Sequence, residues 1–224
     1  MHSHWLAGLV KQSFLKDYPV HVTPSGIDLT IFKSASADLR EQYGFHDKKI
    51  ILGCASIWTL RKGYQDFIAL RQLLDSSYQI VMIGLNQKEI RQLPPGILGI
   101  QRTESIKELA QWYSVADIFV NPTTQDNFPT TNLEALACGT PVVTYNTGGS
   151  PESVDEDTGC VVRKGDVAGL SKAVNKLVVR NKRELNASCR NRAERLYNKD
   201  VRYLEYLKLY EKLVNRNSQP ANQN

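Results

Sequence analysis

No apolar run in the 224-residue sequence comes near the roughly 20 residues that a helix needs to span a bilayer. Residues 1–5 show no charged head leading into an apolar stretch and a cleavage site, so the start does not read as a secretory signal. Cysteine is scarce. Cys54, Cys138, Cys160 and Cys189 include no C-x-x-C pair and no histidine at ligand spacing, which leaves no metal-binding pattern among them. Cys54 and Cys138 lie in apolar runs, so reduced thiols in a cytoplasmic setting are expected. Two phosphate-binding signatures are missing as well. There is no G-x-x-x-x-G-K-[ST] and no G-x-G-x-x-G after the first strand-like run, so P-loop and dinucleotide readings fail. The one histidine pair, His2 and His4, stands at a chain terminus and is read as no metal site.

What is present is ordinary globular composition, 42% hydrophobic and 23% charged, with length for one large domain. The charge is uneven. Residues 182–216 hold ten basic and five acidic side chains, which accounts for the whole net charge of +5. The body is neutral and lacks a basic groove studded with aromatics, so nucleic-acid binding is not expected. The basic segment interleaves acids with bases and reads first as a solvated helix face. Peripheral contact with an anionic membrane surface is the alternative.

Periodicity sets out the elements. Residues 4–15 repeat at helical spacing, His21-Val22 reads as a short strand, and Pro24-Ser25-Gly26 as a turn. Apolar runs of strand length follow at 50–56, 79–85, 96–102, 117–121, 141–145 and 159–162. Helical patterns at 64–75, 86–92, 105–115, 131–138 and 166–180 separate or follow them, and two more cover 182–197 and 200–215. Strands apolar on both faces, alternating with helices, imply a parallel sheet covered on both sides. The fold class is therefore α/β: one Rossmann-like, doubly wound sheet of about six strands with C-terminal helices. Ligands in such sheets bind beyond the carboxyl ends of the strands, where the strand order switches. In the last helix Tyr203, Tyr206, Leu207, Tyr210, Leu213 and Val214 form an apolar stripe, which packs either on its own domain or on a second one.

Two loops carry the chemistry. The first, from Ser56 to Gly63, contains Arg61-Lys62-Gly63 at a strand-to-helix junction. A basic pair beside a glycine suits a diphosphate. The second runs from Pro122 to Glu134 and opens a helix. Phe128, Thr130 and Thr131 offer backbone N–H groups at the positive end of the helix dipole, while Pro129 suits a first turn. Asp126 and Glu134 bracket that turn. A carboxylate accepts two hydroxyl hydrogen bonds at once, as a sugar or ribose diol requires. The bland alternatives are capping for Asp126 and a surface position for Glu134. Yet Leu133, Ala135, Leu136 and Ala137 surround Glu134, and a carboxylate in that company needs partners.

These stretches resemble the C-terminal, donor-binding half of retaining glycosyltransferases of the GT-B fold that carry the E-x7-E motif. The resemblance rests on Pro24 to Asp28, Arg61-Lys62-Gly63, Ala116 to Pro122, Asp126 to Pro141 and Gly148-Gly149-Ser150-Pro151-Glu152, in family order and spacing, and it covers about residues 1–215. It implies that Lys62 and Arg61 neutralise the donor diphosphate. Glu134 takes the ribose hydroxyls, and Asp126 contacts the donor sugar. Asn127, Phe128, Thr130 and Thr131 lie in the loop that holds sugar and phosphate. Ser56 and Gly63 flank the donor, and the base lies near Arg102 and Thr103. The donor is a UDP-, GDP- or ADP-linked sugar bound as substrate, with no cofactor and no metal. The acceptor is a sugar or lipid-linked hydroxyl presented by another domain.

Three positions depart from the family pattern. Asp126 makes the motif D-x7-E, Ser56-Ile57 replace a Gly-Arg, and Ser25 replaces an Asn. A GT-B enzyme has two domains of similar size, so the chain reads as one half. Residues 1–19 are then the remnant of the first domain's last helix and linker, 20–198 the donor-binding domain, 199–216 a C-terminal helix and 217–224 a disordered tail. The expected role is hexosyl transfer in cell-surface polysaccharide or lipopolysaccharide synthesis, in the cytoplasm or on the inner membrane face, with the isolated chain inactive. A non-catalytic nucleotide-sugar module and a GT-B sugar-nucleotide epimerase remain as alternatives.

Overall fold

The computed structural model describes residues 1–36 and 38–217. Among them the order is α1 (His4–Val10), α2 (Leu39–Gln42), β1 (Lys49–Cys54), α3 (Tyr64–Gln72), β2 (Tyr78–Ile83), α4 (Gln87–Arg91), β3 (Ile97–Ile100), α5 (Ile106–Val115), β4 (Ile118–Asn121), α6 (Thr130–Ala137), β5 (Val142–Tyr145), β6 (Gly159–Val162), α7 (Val167–Val178), α8 (Lys182–Tyr197) and α9 (Lys199–Asn217). Short 3₁₀ turns occupy Leu60–Lys62 and Ser150–Ser153. The expected tail falls mostly outside the described residues.

The six strands form one parallel sheet in the order β3-β2-β1-β4-β5-β6. The chain winds outward from β1 through β2 to β3, then crosses back to place β4 on the other side of β1. The switch in strand order therefore lies between β1 and β4, where Leu52 stands opposite Val81 on one side and Phe119 on the other.

Alternation along the strands builds two cores. Ile50 and Leu52 of β1 point with Val81, Ile83 and Phe119 into the layer made by α5, α6 and α8. Ile51, Ile80, Met82, Ile118 and Val143 point the other way, under α3 and α7. Both faces are dry, which is why the strands read as unbroken apolar runs. Each large aliphatic side chain withdrawn from water contributes about 1.5–3 kcal/mol.

Asp117 pins the amino-terminal edge. Its carboxylate accepts from Arg40 at 2.6 Å, Lys182 at 2.5 Å and the Ile50 N–H at 2.8 Å. Burial alone would raise its pKa, but Lys182, the Ile50 N–H and Arg40 outweigh that and hold it below 3.8.

Two sequence expectations near the start are corrected. The helix expected over residues 4–15 ends at Val10, because the Ser13 hydroxyl donates to the Val10 carbonyl at 2.7 Å and accepts from the Leu15 N–H. His21-Val22 forms no strand. Thr23 instead donates to the Met1 carbonyl at 2.8 Å, and the segment's bridge is Ile27 to Asn198, at the α8–α9 junction. Residues 1–10 are docked on the body: Glu152 accepts from the His4 and Trp5 N–H groups, both at 2.8 Å, and Ser3 is fully buried. The stripe on α9 is mostly open to solvent. Tyr203, Leu207 and Tyr210 are each more than half exposed (58%, 55% and 59%), and Tyr206 reaches back, donating to the Thr23 carbonyl. No described helix is long and apolar enough to cross a membrane.

Candidate donor-binding site

The loops after β1 and β4 meet over the switch point. Arg61 donates to the Gln125 carbonyl at 2.9 Å, and Thr124 N–H donates to the Arg61 carbonyl at 2.8 Å. The Thr59 hydroxyl accepts from the Lys62 N–H and caps the 3₁₀ turn. Gly63 closes that turn at φ +77°, where a Cβ would stand 2.5 Å from the Pro122 carbonyl oxygen. Only glycine lets the two loops approach this closely. Gly148 does the same on the other flank: at φ +55° a Cβ would collide with the Asp126 carbonyl.

Lys62 thereby reaches Asp126, with Nζ 2.8 Å from Oδ2. The sequence reading assigned one to phosphate and the other to sugar; in the protein they are each other's counter-ion. Arg61, Asp126, Asn127 and Phe128 line one recess of about 350 Å³ together with His2 and Gln125. Phe128 contributes backbone there, since its ring is buried edge-on against Tyr197 at 6.0 Å. Helix α6 opens after Pro129 with no side-chain cap, so the first-turn N–H groups of Thr130 and Thr131 are offered to a ligand.

A network beneath fixes that helix. Buried Asn132 accepts from Asn121 Nδ2 at 2.8 Å and donates to the Ser153 hydroxyl at 2.9 Å. Asn121 and Asn132 were read only as members of a strand and a helix.

Glu134 lies one turn further along α6, half-buried. Tyr113 of α5 donates to its Oε2 at 2.9 Å. Burial raises the Glu134 pKa above the usual carboxylate value, while the Tyr113 hydrogen bond works against that rise. Cys54, at the end of β1, sits in the same cluster, and burial pushes its thiol up to about 12.

Ser56 and Arg102 stand apart from the acids. They line a second recess of about 300 Å³ with Trp58, Gly84, Leu85 and Glu89, on the β2–β3 side of the first loop. Thr103 follows in the same loop as Arg102, half-buried. A larger recess of about 730 Å³ lies between Leu60, Gly63 and Asp66 on one side and Val162 to Gly165 at the end of β6 on the other, and includes neither Asp126 nor Glu134. Among the described residues no group of three or more His, Cys, Asp or Glu is arranged to hold a metal ion.

Sequence reasoning missed Tyr113 and His2. Tyr113 carries no local signal, because its partner is 21 positions away. His2 was set aside as a terminal residue, and the docking of residues 1–10 brings it into the recess that Asp126 lines.

A parallel sheet with a strand switch, a basic loop on one side and an uncapped helix flanked by acids on the other is an α/β arrangement suited to an anionic ligand. The family model described as Glycosyl transferases group 1 matches residues 48–180, and the chain belongs to that family. It is 32% identical over 178 residues to a GDP-mannose-dependent monoacylated alpha-(1-6)-phosphatidylinositol monomannoside mannosyltransferase of Corynebacterium glutamicum, covering 69% of this chain and 46% of that one. The chain thus spans about half the length of the curated relatives it matches. Its fold superposes on sucrose-phosphate synthase from Thermosynechococcus elongatus with a TM-score of 0.84 at 22% identity, covering 96% of this chain and 58% of that chain. Anabaena HepE, solved in complex with UDP, gives 0.80 at 16% identity, over 93% and 61%. The single parallel sheet is that of one GT-B half.

Proposed function

We propose that this chain is the donor-binding half of a retaining glycosyltransferase. The reading rests chiefly on one observation: the 2.8 Å contact between Lys62 and Asp126, which joins the cationic loop to the acidic loop at the strand switch. The base enters the recess at Ser56 and Arg102, with Thr103 beside it. The ribose diol rests on Glu134. The diphosphate lies against Arg61, Lys62 and the N–H groups of Phe128, Thr130 and Thr131. The hexose lies between Asp126, Asn127 and Gly63.

In the reaction the bond from the anomeric carbon to the diphosphate oxygen breaks, and its electron pair leaves with the nucleotide. The acceptor hydroxyl oxygen bonds to the anomeric carbon on the same face, and its proton passes to the departing diphosphate oxygen. Negative charge grows on the diphosphate, and Arg61, Lys62 and the positive end of α6 stabilise it. No resident cofactor or metal enters this reading. A second domain carries the sugar or lipid-linked acceptor, and the exposed stripe on α9 supports the presence of a surface that something covers. Two relatives are named as phosphatidylinositol monomannoside mannosyltransferases, which supports a lipid-linked acceptor. The same reading gives the chain a role in cell-surface polysaccharide or lipopolysaccharide synthesis in the cytoplasm, with peripheral membrane contact through the basic C-terminal segment.

Calorimetric titration of the chain with UDP, GDP and ADP tests the reading. At least one should bind with 1:1 stoichiometry, and the corresponding nucleotide sugar should bind at the same site. Absence of binding by all three, or a ligand seated away from the β1 and β4 loops in a soaked crystal, overturns it.

A further inference from the structure

Glu134 has one oxygen engaged and one open. Oε2 accepts from the Tyr113 phenol at 2.9 Å, whereas Oε1 has no donor among the described residues. Tyr113 is fully buried. Its ring is wedged edge-on against Phe32 at 6.2 Å and Phe119 at 5.3 Å, and its carbonyl accepts from the Thr140 hydroxyl at 2.5 Å. The two rings and the buried main chain fix where the phenol oxygen sits, within reach of both Glu134 and the Cys54 thiol. Burial also raises the phenol's pKa well above its ordinary value, so it is a donor at neutral pH. Phe119 belongs to β4 and Glu134 to α6, so the phenol ties the acid to the sheet at the switch point.

We propose that Tyr113 is the positioning residue for the nucleotide's ribose: it clamps Oε2 of Glu134 so that Oε1 faces the crevice and meets the 2′- and 3′-hydroxyls. The inference rests on the reading that Glu134 takes the ribose. The clamp has two physical effects. It removes the rotational freedom of the acid's terminal torsion, so the ligand does not have to freeze it. It also favours the charged form of a carboxylate that burial otherwise opposes. Ribonucleotide affinity should therefore depend on a hydroxyl that never touches the ligand.

The test uses the full chain with UDP, GDP and ADP and their 2′-deoxy counterparts, in wild type, Tyr113→Phe and Glu134→Gln. Wild type should prefer the ribonucleotide by about tenfold, the scale of a hydrogen bond to a charged group. Tyr113→Phe should bind the ribonucleotide several-fold more weakly, by roughly three- to tenfold, and the 2′-deoxy form unchanged. Its ribonucleotide affinity should also begin to fall at a higher pH on acidification, because the carboxylate has lost a donor. The other groups facing Glu134 are the thiols of Cys54 on β1 and Cys138 at the end of α6, both pushed up to about 12, with Lys62 beyond Cys54. Neither thiol titrates below neutrality, so the shifted profile belongs to Glu134.

If Glu134→Gln loses ribose discrimination while Tyr113→Phe keeps both the preference and the pH profile of wild type, the clamp is refuted and the ribose reading survives. If neither variant changes the preference, the ribose reading itself fails. A uniform loss for both sugar forms, with a lowered melting temperature, marks Tyr113 as structural and also refutes the clamp.

Discussion

Lys62 and Asp126 face each other with 26% and 16% of their side chains exposed. An arriving diphosphate competes with Asp126 for the same ammonium. Asp126→Asn should therefore bind nucleoside diphosphate more tightly, by roughly two- to tenfold, since screening at a half-open site keeps the released energy near 1 kcal/mol. Weaker binding of UDP or GDP by Asp126→Asn in calorimetry would mean that the acid helps to hold the nucleotide. Lys62→Ala and Glu134→Ala should each cost about 1 kcal/mol or more of nucleotide binding, from lost charge-assisted hydrogen bonds. Unchanged affinity in both would remove the site from this crevice.

At the scale of elements, the turns that carry these residues are held by backbone geometry. Gly63→Ala places a Cβ at φ +77° and within 2.5 Å of the Pro122 carbonyl. Strain at such a position costs roughly 1–3 kcal/mol, and the turn that aims Lys62 must shift. A lowered melting temperature together with weakened nucleotide binding is expected; an unaltered variant would show that the loops have slack.

The Asp117 node predicts a pH dependence. Its folded pKa lies below 3.8, so its contribution is fully present above that value and is lost as pH falls below it. Asp117→Asn should lower stability at neutral pH by about 2 kcal/mol or more, through the unpaired Arg40 and Lys182. It should also flatten the acid limb of a melting-temperature profile, and a limb as steep as wild type would assign acid unfolding to other carboxylates.

Elements with dense local signal were legible in the sequence. β1, β2, β4, β5 and β6 fall on apolar runs, and α5, α7 and α8 start at or near their expected positions. Their interiors are dry on both faces, so every residue in them reports burial. α1 was read too long and His21-Val22 was read as a strand, because hydroxyl and linker contacts there override periodicity. Ser150–Ser153, a 3₁₀ turn, has no period to read.

For the whole molecule, the open face of α9 decides what the isolated chain can tolerate. Replacing Tyr203, Leu207 and Tyr210 by polar residues should change stability by less than about 0.5 kcal/mol at each site, as for mostly exposed surface positions. A large drop in melting temperature would show that the stripe is packed in solution. The chain alone should bind a nucleotide without transferring sugar, since the proposed acceptor lies on another domain. Transfer by the chain alone would refute the half-enzyme reading.

The amino-acid sequence determined the layered α/β class, the two loops and the identities of Arg61, Lys62, Asp126 and Glu134, because apolar period and side-chain chemistry are local properties. Only the tertiary structure decided that Lys62 pairs with Asp126, that His2 joins the recess Asp126 lines, and that Tyr113 holds Glu134. These residues lie 64, 124 and 21 positions apart in the chain. Distances of that kind are set by the winding of the sheet and the packing of α5 on α6, and no short stretch of sequence encodes them.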